Sequence, residues 1–305
     1  MKLYKYCSAN RIHDLKSRKI RFTQACEFND PFDLAPTYDM LSQEDQSRFI
    51  LEDIAEGGDG KSYSLTPKRQ KLMMEATQRG FEFVFRRFQW LGGQFAVDNN
   101  LVANMQLSLT YGVLSLSEIH DSLLMWSHYG DLHRGFVIEF DTSADFFRPC
   151  FARRVPSFLL KVDYSDVRPH LSSTTLNRPE ALTRKSTAWA YEREWRMIKF
   201  LSEADERRSI HSSHEVPRHD ALPVHLYQFP ELAVTAVFTG AKMRSDEYTA
   251  LTDLVSTDPA YSHVRMHHMQ QSANEYRLTT SPQIPGTSPD PEHLPQVVSA
   301  RPMRV

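Results

Sequence analysis

The run Gly135-Phe136-Val137-Ile138-Glu139-Phe140-Asp141 restricts this chain most. It is rich in β-branched and aromatic residues and bounded by turn-forming positions, so it reads as a strong strand. Other runs supply its partners. Leu3–Tyr6, Lys19–Thr23, Tyr111–Ser117, Leu159–Tyr164, Trp195–Phe200, Val234–Thr239 and a last strand after Val264 all have strand character. Between them lie helical stretches: Ala9–Lys16 behind Ser8, Ser122–His128, residues 172–190, and Ser245–Leu254. Residues 41–106 read as a helical insertion. Gly57–Gly60 separates two helices, the second has Pro67 in its first turn, and Phe81, Phe83, Val84, Phe85 and Phe88 form one apolar face. From residue 280 the chain turns rich in Pro, Ser, Thr and Gln with no apolar period, which predicts a disordered tail over 280–305. The fold expected is one α+β domain over 1–279, a mixed or split β-sheet with packed helices.

Composition narrows the class without naming a function. The 305 residues include 41% hydrophobic and 24% charged side chains, the balance of a soluble globular protein. No apolar run reaches the roughly 18–20 residues of a membrane span, and the opening Met1–Tyr6 lacks the apolar stretch of a secretory leader. Three cysteines (Cys7, Cys26 and Cys150) make neither a disulfide frame nor a zinc site, which places the expectation in a reducing cytoplasm. A net charge of −2 gives no overall basic field for nucleic acid.

Several local patterns carry chemistry. Tyr191-Glu192-Arg193-Glu194-Trp195-Arg196 sets two carboxylates at a strand start, and with Glu192 in the preceding turn both can line one cleft. Ser115 and Ser117 place two hydroxyls on one face of a strand. Lys5 lies between two aromatic rings, Tyr4 and Tyr6. The stretch Met125–Gly135 is dense in Trp126, His128, Tyr129 and His133, groups that stack on planar rings or move protons near neutral pH. His128 and His133 have the wrong spacing for a shared metal. Asn29-Asp30-Pro31-Phe32-Asp33 is a turn that can wall a pocket. His211, His214, His219, His225 and His267-His268 read as solvated surface. Glu192 and Glu194 also have plain structural partners to hand in Arg193, Arg196 and Lys185.

Read together, these segments resemble a bacterial family known as domain of unknown function 2971. The motifs are Leu3–Tyr6, Ile20–Gln24, Asn29–Asp33, Ser115–Ser117, Met125–Tyr129, Gly135–Asp141, and Lys185, Trp189 and Tyr191–Arg196. The resemblance spans roughly residues 3–275. It implies no chemistry, only a setting in phage defence or toxin action, with a partner protein of a defence system. Separately, the order of a first-strand cation, a serine-bearing strand and a late E-x-E resembles arginine-type ADP-ribosyltransferases, although those carry Arg or His where this chain has Lys5. That second likeness implies NAD as substrate and an unknown macromolecular acceptor. Under it Glu194 is the catalytic carboxylate, Glu192 orients the acceptor, and His128 is a further acid or base. Lys5 contacts phosphate, Tyr6, Trp126 and Tyr129 stack on the dinucleotide, and Ser115 and Ser117 support the site. Two other classes compete. One is a metal-independent nuclease built on His128 with Arg196 or Lys185, its charge gathered from Arg86-Arg87 and Arg153-Arg154. The other is a non-catalytic module that binds a ligand or partner.

Overall fold

The computed structural model describes residues 1–39, 104, 107–148, 157–172, 180–208 and 222–282. The expected helical insertion (apart from its edge at Asn104), the basic pairs Arg86-Arg87 and Arg153-Arg154, Cys150, His211, His214, His219 and all of the expected tail beyond Pro282 lie outside these residues.

The strands are β1 (Lys2–Cys7), β2 (Lys19–Phe22), β3 (Thr37–Asp39), β4 (Tyr111–Ser117) and β5 (Phe136–Asp141). They continue with β6 (Phe158–Lys161), β7 (Asp163–Tyr164), β8 (His170–Ser172), β9 (Arg184–Lys185) and β10 (Glu194–Phe200). The last are β11 (Glu206–Arg208), β12 (Val224–Gln228), β13 (Val234–Thr239), β14 (Arg265–Gln271) and β15 (Leu278–Pro282). Eight form one sheet in the order β15-β14-β13-β5-β1-β4-β10-β6. All its neighbours are antiparallel except β13 and β14, so the sheet is mixed, as expected. A smaller sheet, β11-β12-β2, packs beside it.

The apolar run that opened the sequence reading sits at the middle of this sheet as β5, with β13 on one edge and β1 on the other. Its residues are buried on both faces, and the period of two sorts them into two cores. Phe136, Ile138 and Phe140 join Leu3, Leu116, Phe22, Phe147 and Phe229 on one face. Val137 joins Tyr6, Trp126, Ala236 and Phe238 on the other. Among the described residues lie the helices α1 (Ile12–Ser17), α2 (Leu123–His128), α3 (Glu180–Thr183) and α4 (Ser245–Thr257), besides a helical stretch over residues 107–110 that leads into β4. Leu251 and Val255 of α4 cover the first core; Met125 and Trp126 of α2 cover the second.

The sheet has a seam. β1 and β4 pair at a single position, Tyr4 with Ser117. Further along the same edge of β4, Val113 exchanges both main-chain hydrogen bonds with Thr23, just beyond β2. The Lys5 amine reaches across and donates to the Ser115 carbonyl at 3.1 Å.

Several expectations are corrected. Residues 172–190 do not form one helix; the described part is a short α3, the two residues of β9, and a 3-10 turn over Thr187–Glu192. Leu159–Tyr164 is interrupted at Val162, whose amide turns to the Glu194 carbonyl at 2.9 Å. Pairing of β15 with β14 extends the ordered sheet to Pro282, past the expected boundary. His225 is buried on β12, and burial pushes its imidazole down to about 4. His267 stacks on Phe238 and His268 bonds to Thr239, so neither is simply solvated.

Between α2 and β5 three consecutive non-glycine residues, Asp131, Leu132 and His133, take positive φ of 51°, 55° and 69°. Such residues each cost roughly 1–2 kcal/mol, and the flanking glycines let the surroundings hold them. A Cβ on Gly135 would lie 2.0 Å from the Cys7 carbonyl oxygen, and one on Gly240 would lie 2.2 Å from that of His133. Bare backbone is therefore required at both. By contrast, a Cβ on Gly112 meets only Leu201 Cδ2 at 2.7 Å and Phe22 atoms from 2.8 Å. Gly135→Ala is expected to cost about 1–3 kcal/mol or more by overpacking against main chain, and Gly112→Ala less; paired urea denaturation curves measure the difference, and an equal or reversed order contradicts it.

Candidate functional site

The E-x-E motif straddles a change of backbone direction. Ser186 caps the 3-10 turn by accepting from the Ala188 amide, and the turn carries Trp189, Tyr191 and Glu192. Arg193 then swings into the left-handed region (φ 46°, ψ 52°), and Glu194 begins β10. With Glu192 in the turn and Glu194 on the strand, both carboxylates reach the amine of Lys185 at the end of β9. The distances are 2.5 Å to Glu192 Oε2 and 3.0 Å to Glu194 Oε2.

Two more groups complete the cluster. Arg196, entirely buried, lies on the same face of β10 as Glu194 and bonds to it through Nε at 2.9 Å. Its Nη2 lies 2.7 and 2.8 Å from the two oxygens of Asp33, and its Nη1 donates to the Leu182 carbonyl at 2.9 Å. Asp33 also lies 3.3 Å from Lys185. All five side chains are buried. Around them Tyr164 accepts the Glu194 amide at 2.8 Å, and Ser117 donates to the Glu192 carbonyl at 2.6 Å.

Charge counting separates the carboxylates. Three of them (Asp33, Glu192 and Glu194) face two cations (Lys185 and Arg196), so one negative charge is unbalanced. Burial works against ionised Glu194, but Arg196, Lys185 and a hydrogen bond from Ser115 outweigh it and hold this carboxyl down at about 2. Lys185 and Arg196 are held more basic than usual by the same carboxylates, against the pull of burial. For Glu192 burial wins, and its carboxyl is raised above the ordinary range despite Lys185 and Tyr129. Of the two glutamates, Glu192 is thus the one in which burial prevails and favours the protonated form.

Beside Glu192 lies a group of half-buried or exposed aromatic side chains. Tyr129, following α2, donates its hydroxyl to Glu192 Oε1 at 2.6 Å and accepts from Asn29 Nδ2 at 3.3 Å. His128, exposed at the end of α2, has Nδ1 2.9 Å from the Tyr191 hydroxyl. Trp189 lies alongside, with the Lys185 amine 5.1 Å from its ring centre.

The residues singled out in the sequence divide three ways. Glu192, Glu194, His128 and Tyr129 come together, with Ser115 and Ser117 bracing the two glutamates. Tyr6 and Trp126 do not join them as stacking groups. They pack edge to face in the second core, with polar atoms spent on the carbonyls of Ile119 and His120. Lys5 alternates with Tyr4 and Tyr6 along β1 and takes the opposite face, in register with Ile138 of the first core. Burial lowers the basicity of its amine, which ends on the Ser115 carbonyl. It is a seam residue rather than part of the cluster. Tyr164, Trp189 and Tyr191 had no site role assigned from sequence, and Asn29 and Asp33 only that of a pocket wall. Asp33 and Asn29 were visible only as the ends of a turn motif, about 160 residues before the E-x-E.

Comparison with known proteins adds one finding. Residues 125–197 match the family model described as Protein of unknown function (DUF2971). No curated protein and no solved structure matches the chain. The matched segment holds His128, Tyr129, Lys185, Trp189, Tyr191, Glu192, Glu194 and Arg196, whereas Asn29, Asp33, Ser115 and Ser117 lie outside it. Among the described residues no group of His, Cys, Asp or Glu is arranged to hold a metal, and no helix is long and apolar enough to cross a membrane.

The two glutamates predict opposite pH behaviour. A depressed carboxyl such as Glu194 contributes stability that is complete above about 4.5 and lost as pH falls toward 2. A raised carboxyl such as Glu192 contributes stability that is complete below about 4.5 and lost as pH climbs through its raised value. Thermal melts across pH should therefore lose their acid limb in Glu194→Gln and their decline on the neutral side in Glu192→Gln. Lys185→Met, which leaves three carboxylates against Arg196, should cost about 3–5 kcal/mol, more than Glu192→Gln. Equal costs for these two substitutions contradict the charge count.

Proposed function

We propose that the chain is an NAD-consuming enzyme of the ADP-ribosyl-transfer type, with Glu192 as its working carboxylate. The observation that carries the reading is Glu192 itself: a buried carboxyl with raised proton affinity, held by Lys185 and Tyr129 beside a half-buried aromatic rim. Breaking the bond between nicotinamide and the ribose anomeric carbon sends its electron pair to the ring nitrogen. Neutral nicotinamide leaves, and a ribosyl oxocarbenium ion remains. A fixed carboxylate stabilises that cation, and the same group takes the proton from the attacking water or acceptor hydroxyl or amine. The half-buried rings of Tyr129, Trp189 and Tyr191 offer surfaces for the nicotinamide.

This reading moves the catalytic role from Glu194 to Glu192. Glu194 is tied to Arg196 and Lys185 and serves to hold Lys185 in place. A role in defence or as a toxin, with a macromolecular acceptor, belongs to the same proposal. The competing reading, a binding module without catalysis, draws on one observation: each group of the buried cluster already has a partner within the chain.

The test is nicotinamide release from NAD by the purified full chain, followed by chromatography. Release should fall at least about a hundredfold in Glu192→Gln, the scale of a general acid–base group, with the folded state checked by circular dichroism. No release by the wild-type chain at millimolar NAD, or full release by Glu192→Gln, rejects the proposal; the first outcome leaves the binding module.

A further inference from the structure

We propose that the rim beside Glu192 is a receptor for an organic cation, one whose charge is delocalised over a ring or shielded by alkyl groups. The inference rests on the placement of Glu192 in the preceding proposal and names the ligand class that this site takes.

Two independent features carry it. The first is the arrangement of rings. His128 has Tyr129, Trp189 and Tyr191 around it at centroid distances of 6.1, 6.4 and 6.0 Å, and its plane stands at 88°, 68° and 66° to theirs. Trp189 and Tyr191 are 6.1 Å apart at 39°. Edge-to-face contacts of this size hold the four rings together as one cluster at the protein surface, beside the buried charges. These rings are half-buried or exposed, so water or ligand reaches them. Aromatic faces attract cations, and more strongly when the cation sheds its hydration easily, as alkylated and delocalised ions do.

The second feature is the adjacent charge. With Glu192 ionised the buried cluster is one negative charge in excess, since Asp33, Glu192 and Glu194 face only Lys185 and Arg196. A ligand cation seated against the exposed faces of these rings balances it without displacing an existing ion pair. The chain already shows the interaction from within, with the Lys185 amine 5.1 Å from the Trp189 ring. A neutral ring of the same shape gains the stacking but not the charge balance. Two sources share this chemistry: the pyridinium ring of a nicotinamide nucleotide, and an alkylated ammonium or guanidinium on an acceptor.

The experiment measures binding alone, by calorimetry or proton NMR on the full chain without NAD. Two matched pairs serve as probes: the N-methylated nicotinamide cation against nicotinamide, and choline against its neutral carbon isostere, neohexanol. The cation of at least one pair should bind roughly tenfold tighter than its neutral partner, and that preference should vanish in Tyr191→Leu and persist in Tyr191→Phe. Preference in the first pair only points to the nucleotide, and in the second pair only to an acceptor. Equal binding within both pairs, or a preference untouched by Tyr191→Leu, overturns the inference. Nicotinamide release does not enter this assay, so the cation preference and the NAD proposal stand or fall separately.

Discussion

Five buried charges decide how this protein is assembled. Lys185 and Arg196 bridge Asp33, Glu192 and Glu194, and so tie together a turn near residue 30, the short strand β9, the 3-10 turn after it and the start of β10. A buried ion costs several kcal/mol to desolvate, so each of these segments is held in place on pain of leaving a charge unpaired. An apolar cluster of the same volume would tolerate slippage. This one fixes which residue meets which, because each donor has a particular acceptor at hydrogen-bond distance.

The core was largely legible in the sequence, and the reason is periodicity. β1, β2, β4, β5, β10 and β13 each carry enough alternating or continuous apolar residues to declare themselves within one or two positions. Where the reading failed, local pattern was overruled by tertiary partners. Residues 180–192 have helical composition, yet Lys185 is pulled into a parallel pair with Tyr164 and the turn after it is tightened to a 3-10 form so that Glu192 can face Lys185. Composition does not record that demand. The site was half legible. The glutamate pair and the His128–Tyr129 stretch announced themselves by density of reactive groups. The choice between Glu192 and Glu194 did not, because it depends on Asp33, a residue some 160 positions away that supplies the third carboxylate and binds the cation shared with Glu194. Lys5 shows the converse error: a plausible side chain in the right order along the chain, but on the wrong face by a single step of strand alternation.

Strain is concentrated beside the site. Arg193 and the run Asp131–His133 take left-handed backbone, and they flank the two segments that supply Glu192 and Tyr129. The left-handed run is held by main chain: the Lys242 amide binds the His133 carbonyl at 2.9 Å, and the Gly135 amide binds that of Gly130 at 2.8 Å. Arg193 is pinned as well, its carbonyl accepting from the Glu118 amide at 3.1 Å. The rim and the carboxylate are thus presented from stiff, over-determined turns, the condition for a site whose geometry survives without ligand.

The seam between β1 and β4 is where the ladder of the large sheet is thinnest. On one side β5, β13 and β1 share a ladder and carry α2 on their outer face; on the other β4, β10 and β6 share theirs and carry Glu194 directly. Across the join the ladder contributes one paired position, and the Lys5 amine stands in for another. What the ladder lacks there the first core supplies, since Phe136, Ile138 and Phe140 of β5 and Met197 of β10 belong to one buried cluster. The Tyr129–Glu192 hydrogen bond spans that join, with its donor on one side and its acceptor on the other. An opening along the seam would part the aromatic rim from the carboxylate only by also dividing the first core, to which β1, β5, β4 and β10 all contribute, so this bond is guarded by the packing beneath the thin ladder.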